Sequence, residues 1–203
     1  PFPSLKSAFR SFKQFLETRA LRRQLAARTD EDAADFVRRA MATCLETGAR
    51  NECYKEAAGR FFERLGLKKT LALLAQQESV PAVYARCHEV THYLSRQEFE
   101  RAGSIPLVYA SCDSTCHGGC YHGAIEASLA KATSRAATDT LTGQFPKICG
   151  SPADYHQPLV FNECFHGLGH AAMFVTDTDL PQSLRLCDLL TTDDGRERCY
   201  SGV

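Results

Sequence analysis

Ten cysteines, an even number with no CxxC spacing among them, constrain this chain more than any other feature. Such a set argues for disulfides formed in an oxidising compartment, and against a cytosolic zinc protein. The expected location is therefore extracytoplasmic: periplasmic, secreted, or membrane-anchored and facing outside. Two bridges can be guessed from proximity. Cys44 with Cys53 and Cys187 with Cys199 each bracket a short polar turn between helical stretches. For Cys87, Cys112, Cys116, Cys120, Cys149 and Cys164 the sequence leaves the connectivity open.

The segments between these cysteines read almost entirely as helix. Thr29 followed by Glu31 and Asp32 has the form of an N-cap with acids in the first turn, opening a helix through Phe36, Val37, Ala40, Met41 and Leu45 that stops near Gly48. A second helix spans about Asn51 to Leu65 with Gly66 as its C-cap, and a short third covers Lys69 to Gln76. Pro81 suits the first turn of a long fourth helix ending before Gly103. Only short runs such as Pro106 to Ala110 and Leu159 to Phe161 could be strands. Between about Thr133 and Pro158 the pattern gives way to a loop that could serve as a lid.

At 203 residues, 44% hydrophobic and 24% charged, the chain can bury a substantial core and does not carry the composition of disorder. Its net charge of zero gives no global field for nucleic acid, and none is expected as a partner. Residues 1–28 differ, with seven bases against one acid and Phe2, Leu5, Phe9, Phe12, Leu16 and Leu21 at helical spacing. This stretch reads as a basic amphipathic helix that packs on the domain or lies on a membrane surface. Residues 29–203 form a cysteine- and histidine-rich helical domain. The start at Pro1 and the end within Cys199-Tyr-Ser-Gly-Val203 suggest sequence beyond both ends. No run of about 18 apolar residues is present.

A cysteine followed by an aromatic residue recurs at Cys53-Tyr-Lys-Glu, Cys120-Tyr-His-Gly, Cys164-Phe-His-Gly and Cys199-Tyr-Ser-Gly, at irregular spacings of 67, 44 and 35 residues. The expected fold is accordingly all-α: a disulfide-braced helical domain built from irregular repeated helical hairpins.

Those repeats carry the chemistry. His88 and His92, His122 and Glu126, and His166 and His170 each stand four residues apart. On a helix, i and i+4 share a face about 6 Å apart, so each pair can chelate one cation. Six of the seven histidines fall within Cys87–His92, Cys116–His122 and Cys164–His170; only His156 stands apart. Nitrogen and carboxylate donors of this kind suit Zn, Fe or Cu, and spacing does not choose among them. The glycines beside the histidines, at 118, 119, 123, 167 and 169, cost helix propensity of about 1 kcal/mol each, which close helix approach or a bound ligand would offset.

The segment His88-Glu89-Val90-Thr91-His92 matches HExxH and resembles the zinc-binding helix of the zincin metalloproteases. That resemblance, five residues long, implies His88 and His92 as zinc ligands and Glu89 as the catalytic general base. The metzincin extension is absent, since Ser95 and Glu98 occupy its Gly and His positions, and a third ligand would have to be Glu126 or Glu163. His166-Gly-Leu-Gly-His170 keeps the spacing without the glutamate, which points to the histidine pair as the repeated element. Cys112-Asp-Ser-Thr-Cys116-His117 has the widened CxxxCH form of a haem c attachment, with Cys120 one turn on favouring cystines instead. No phosphate-binding loop, dinucleotide fingerprint or GxSxG elbow appears.

These patterns predict an extracytoplasmic metal-binding protein with His88, His92, His122, Glu126, His166 and His170 as ligands. A metal-dependent oxidoreductase acting on a small-molecule or peptide substrate is the leading expectation. The alternatives are an HExxH hydrolase and a non-enzymatic metal-binding or interaction module.

Overall fold

The computed structural model describes residues 18–26, 28, 30–47, 50–133 and 142–203. Most of the basic N-terminal stretch, Thr29, Gly48 and part of the expected loop lie outside these residues; residues 18–24 are helical. The protein is all-α, and no strand occurs among the described residues.

Helix α1 (Ala33–Glu46) starts at Asp32, whose carboxylate accepts from the backbone of Asp35 and so satisfies one of the donors a helix start leaves free. Its buried face of Phe36, Val37, Ala40, Met41 and Cys44 packs on α2 (Arg50–Ala75). The second and third helices expected from the sequence adjoin within this stretch and are separated by a kink at Gly66, whose φ of 72° is left-handed and suits glycine.

The fourth expected helix is also divided. Pro81 opens the short α3 (Pro81–Tyr84), the chain leaves helical geometry at Arg86 with φ −147°, and α4 (Cys87–Ala102) then runs to Gly103 as a left-handed C-cap. The two stretches that could have been strands are helical. Pro106 lies in the first turn of α5 (Ile105–Tyr109) and Pro158 opens α7 (Pro158–Val175). A proline at these positions presets helical φ where no intrahelical donor is needed, which short-range hydrophobicity does not report.

A short 3₁₀ turn (Thr115–Gly118) leads into α6 (Gly119–Thr133), and α8 (Leu180–Cys187) and α9 (Asp193–Gly202) follow α7. The long helices pack as a row, α2 on α4, α4 on α6, α6 on α7 and α7 on α9. Helix α6 is the middle of that row and buries nearly all its length, including Cys120, Ala124, Ile125 and Leu129. Small residues make the row possible. A methyl group built on Gly119 or Gly123 of α6 would fall within 3.0 Å of the backbone carbonyl oxygen of His88 or His92 on α4. One on Gly202 of α9 would do the same at His166 on α7.

Five disulfides brace the row: Cys44–Cys53, Cys87–Cys116, Cys112–Cys120, Cys149–Cys164 and Cys187–Cys199. Both local bridges read from the sequence are among them. Together they mark a protein of an oxidising environment. No described helix is long and apolar enough to cross a membrane.

Candidate metal centre

Helices α4, α6 and α7 each turn histidines toward one place. His88 and His92 come from α4, His166 and His170 from α7, and His122 from the helix between them. The His122 ring centroid lies 5.3 Å from both His88 and His92, 5.5 Å from His166 and 4.3 Å from His170. Two triads result, His88/His92/His122 and His122/His166/His170, each with one nitrogen per residue within 4.8 Å of the others. His122 is buried and belongs to both, while the other four rings are partly accessible.

The outer nitrogens of three rings are anchored. His88 Nδ1 lies 2.8 Å from the carbonyl oxygen of Cys116, which can only accept, so His88 carries its proton on Nδ1. His92 Nδ1 donates in the same way to Glu126 Oε1 at 3.0 Å. On α7, His166 Nδ1 meets Ser201 Oγ at 3.0 Å; that hydroxyl gives its own proton to the Arg198 carbonyl and is left to accept. In each neutral ring Nε2 is then a free lone pair. The Nε2 atoms of His88 and His92 face one another at 3.1 Å, and those of His166 and His170 do the same at 3.1 Å.

Two lone pairs at that distance repel unless a cation sits between them. With metal–nitrogen bonds of about 2.0–2.1 Å, a 3.1 Å bite corresponds to a ligand angle of roughly 95–100°, within the range of tetrahedral to octahedral coordination. Burial opposes a further proton on three of the five rings. Burial lowers the affinity of His88 for a second proton. Burial, followed by the neighbouring histidines, lowers the pKa of His122 to about 2 and that of His170 to about 4.

Glu126 uses both oxygens, Oε1 on His92 and Oε2 on the guanidinium of Arg96. Burial pushes its carboxyl up, but the His92 hydrogen bond and Arg96 outweigh burial and hold it below its usual value. Its place is behind His92, where it fixes the ring's tautomer and orientation. Arg96 in turn lies over the rings of Tyr93 and Phe174 at 5.5 and 5.7 Å. Glu89, adjacent to His88 on α4, accepts from Arg86 Nη1 at 2.8 Å and from the Tyr93 hydroxyl at 3.1 Å. Cys112 and Cys116 are both bridged, so neither thiol is available for a thioether to haem, and His117 is exposed with a left-handed φ of 58°.

The six residues the sequence nominated as ligands thus converge, five through ring nitrogens and Glu126 through His92. The sequence reading did not include the residues that hold them: Arg96, Ser201 and the Cys116 carbonyl. One signal for Ser201 was present, since it takes the third position of the Cys-aromatic repeat, where His122 and His166 stand. Comparison with known proteins finds no matching family model, no similar curated protein and no similar solved structure.

Proposed function

We propose that this chain is an extracytoplasmic metal-binding protein that holds a transition metal, Zn, Fe or Cu, through its clustered histidines and uses it in redox chemistry. The observation that carries the reading is the His88–His92 pair, two rings whose outer partners leave both Nε2 lone pairs aimed at each other 3.1 Å apart. Neutral imidazoles with a carboxylate behind one of them suit Zn, Cu and Fe alike. Two further features favour a working site over a structural staple. Five cystines already brace the fold, and four of the five rings retain access to solvent, which leaves room for a coordination position open to substrate. The pairing of Glu89 with Arg86 and Tyr93 favours oxidoreductase over HExxH hydrolase.

The test is elemental analysis and absorption spectroscopy on full-length chain made in an oxidising compartment, before and after reconstitution with copper(II), zinc(II) or iron(II). Stoichiometric metal is expected, retained by Glu89→Gln and lost by the double variant His88→Ala/His92→Ala. Absence of metal after reconstitution overturns the proposal. Azide added to the copper form reads the open position: shifted bands support a redox enzyme, and unchanged bands a non-enzymatic metal-binding module.

A further inference from the structure

His122 differs from the other histidines in how its ring is supported. His88, His92 and His166 each commit Nδ1 to a carbonyl, a carboxylate or a hydroxyl, and so can offer a metal Nε2 alone. The Nδ1 of His122 is fully buried and has no hydrogen-bond partner. An orphaned ring nitrogen of this kind is destabilising. Yet the ring sits at the centre of the row, on the helix that separates the two HxxxH pairs, and counts in both histidine triads. A single cation bound at Nδ1 would relieve that cost but serve one of the two triads alone. Two cations would use both.

We propose that the site is dinuclear and that His122 bridges it as an imidazolate, one nitrogen toward the ion chelated by His88 and His92 and the other toward the ion chelated by His166 and His170. The inference rests on the metal-binding reading above and adds its nuclearity and connectivity. Charge and protons balance simply. A neutral imidazole has one N–H; as the second cation binds, that proton leaves to solvent and the anionic ring bonds both ions. The site's other charges are Glu126 behind His92 and Arg96 beyond it. The bridge therefore brings an anionic donor between the ions. Glycines set the spacing: Gly119 and Gly123 bring α6 against the α4 backbone at His88 and His92, and Gly167 brings α7 against Ile125 of α6. The ring is held from both sides.

The experiment is copper(II) loading of the intact oxidised chain, with copper counted by elemental analysis and spins counted by low-temperature electron paramagnetic resonance. The expected result is two copper ions per chain with near-complete loss of the resonance, because an imidazolate couples adjacent copper(II) spins antiparallel. Replacing one copper by zinc should restore a single-copper signal. In His122→Ala the copper that remains should be fully visible. If that variant does not fold, the copper/zinc form of the native chain decides in its place. One copper per chain, two copper ions with undiminished signal, or coupling retained in a folded His122→Ala protein each overturns the bridge while leaving metal binding intact. No copper at all overturns both.

Discussion

The helix contact at Gly123, beside the candidate metal centre, gives a sharp test of the packing. In Gly123→Ala the new methyl group would lie within 3.0 Å of the His92 carbonyl oxygen, of Ser95 Oγ and of the His92 Cα. Two of these are backbone atoms of α4, which cannot swing aside. In a helix with free space, alanine for glycine stabilises by roughly 0.5–1 kcal/mol, because it restricts the unfolded chain. At Gly123 that gain is outweighed by overpacking, which costs about 1–3 kcal/mol or more where neighbours cannot relax. Gly59 in α2 is the matched control, since nothing lies within 4 Å of a methyl group built there. We expect Gly59→Ala to raise the melting temperature by a few degrees, and Gly123→Ala to lower it by about 2–8 °C, at roughly 2–4 °C per kcal/mol for a chain of this size. Scanning calorimetry without reductant measures both. The same displacement moves His92, so Gly123→Ala should also retain less metal after dialysis. A Gly123→Ala protein as stable as Gly59→Ala would refute the close α4–α6 packing and the geometry inferred from it.

Other perturbations probe the supports of the cluster and its frame. Glu126→Ala frees His92 to rotate and should weaken metal binding by about 10–100-fold in chelator competition, with Glu126→Gln, which keeps an acceptor, losing less; equal affinity in all three would remove Glu126 from the site. Glu31 is held to a pKa of about 2 against its usual 4.5, chiefly by the Arg39 hydrogen bond and also by the Arg28 backbone, with burial opposing. Because its folded pKa is depressed, this stabilisation is complete above pH 4.5 and is lost as pH falls toward 2, so Glu31→Gln should destabilise at pH 7 and match the parent near pH 2. A gap between the two denaturation midpoints that does not change with pH would contradict that account. Removing the Cys87–Cys116 bridge, which spans 29 residues, should cost about 3–4 kcal/mol in guanidinium unfolding on chain-entropy grounds. It should also loosen the metal, since the Cys116 carbonyl anchors His88; full metal retention would separate the bridge from the site.

The fold class was legible because helices announce themselves locally, through stops such as Gly66 and Gly103 and apolar residues at helical spacing, although the first helix is capped by Asp32 and not by Thr29 as its sequence suggests. The proline-led segments at Pro106 and Pro158 were ambiguous for the complementary reason: a run of four or five apolar residues is too short to show a period. Among the cystines, the 9- and 12-residue closures were readable from proximity. The 8-residue Cys112–Cys120 bridge was not, because Cys116 lies between its partners and pairs across the fold with Cys87. The histidine pairs were visible because i, i+4 spacing is a property of one helix. That both pairs share His122, and that Glu126 reaches His92 on another helix, depends on how α4, α6 and α7 cross, which is a tertiary matter.

The crossing itself has a local source in the four-residue unit that recurs along the chain. In each copy the cysteine bridges back to the cysteine bonded 8 to 15 residues earlier: Cys53 to Cys44, Cys120 to Cys112, Cys164 to Cys149 and Cys199 to Cys187. In the last three copies the fourth residue is a glycine at a helix contact: Gly123 and Gly202 meet the backbone at His92 and His166 too closely for any side chain, and Gly167 faces the end of the Ile125 side chain. The third residue, fixed between a cystine and a close helix contact, has little freedom in where it points. In the first copy that position is Lys55 and no glycine follows. In the second and third it is His122 and His166, and in the fourth it is Ser201, which orients His166. A histidine placed this way is held before any ligand arrives, so the fold would already meet the ordering cost of the proposed metal binding. The close backbone approaches at Gly119 and Gly123 of α6, Gly169 of α7 and Gly202 of α9 explain why glycine stands at those helical positions.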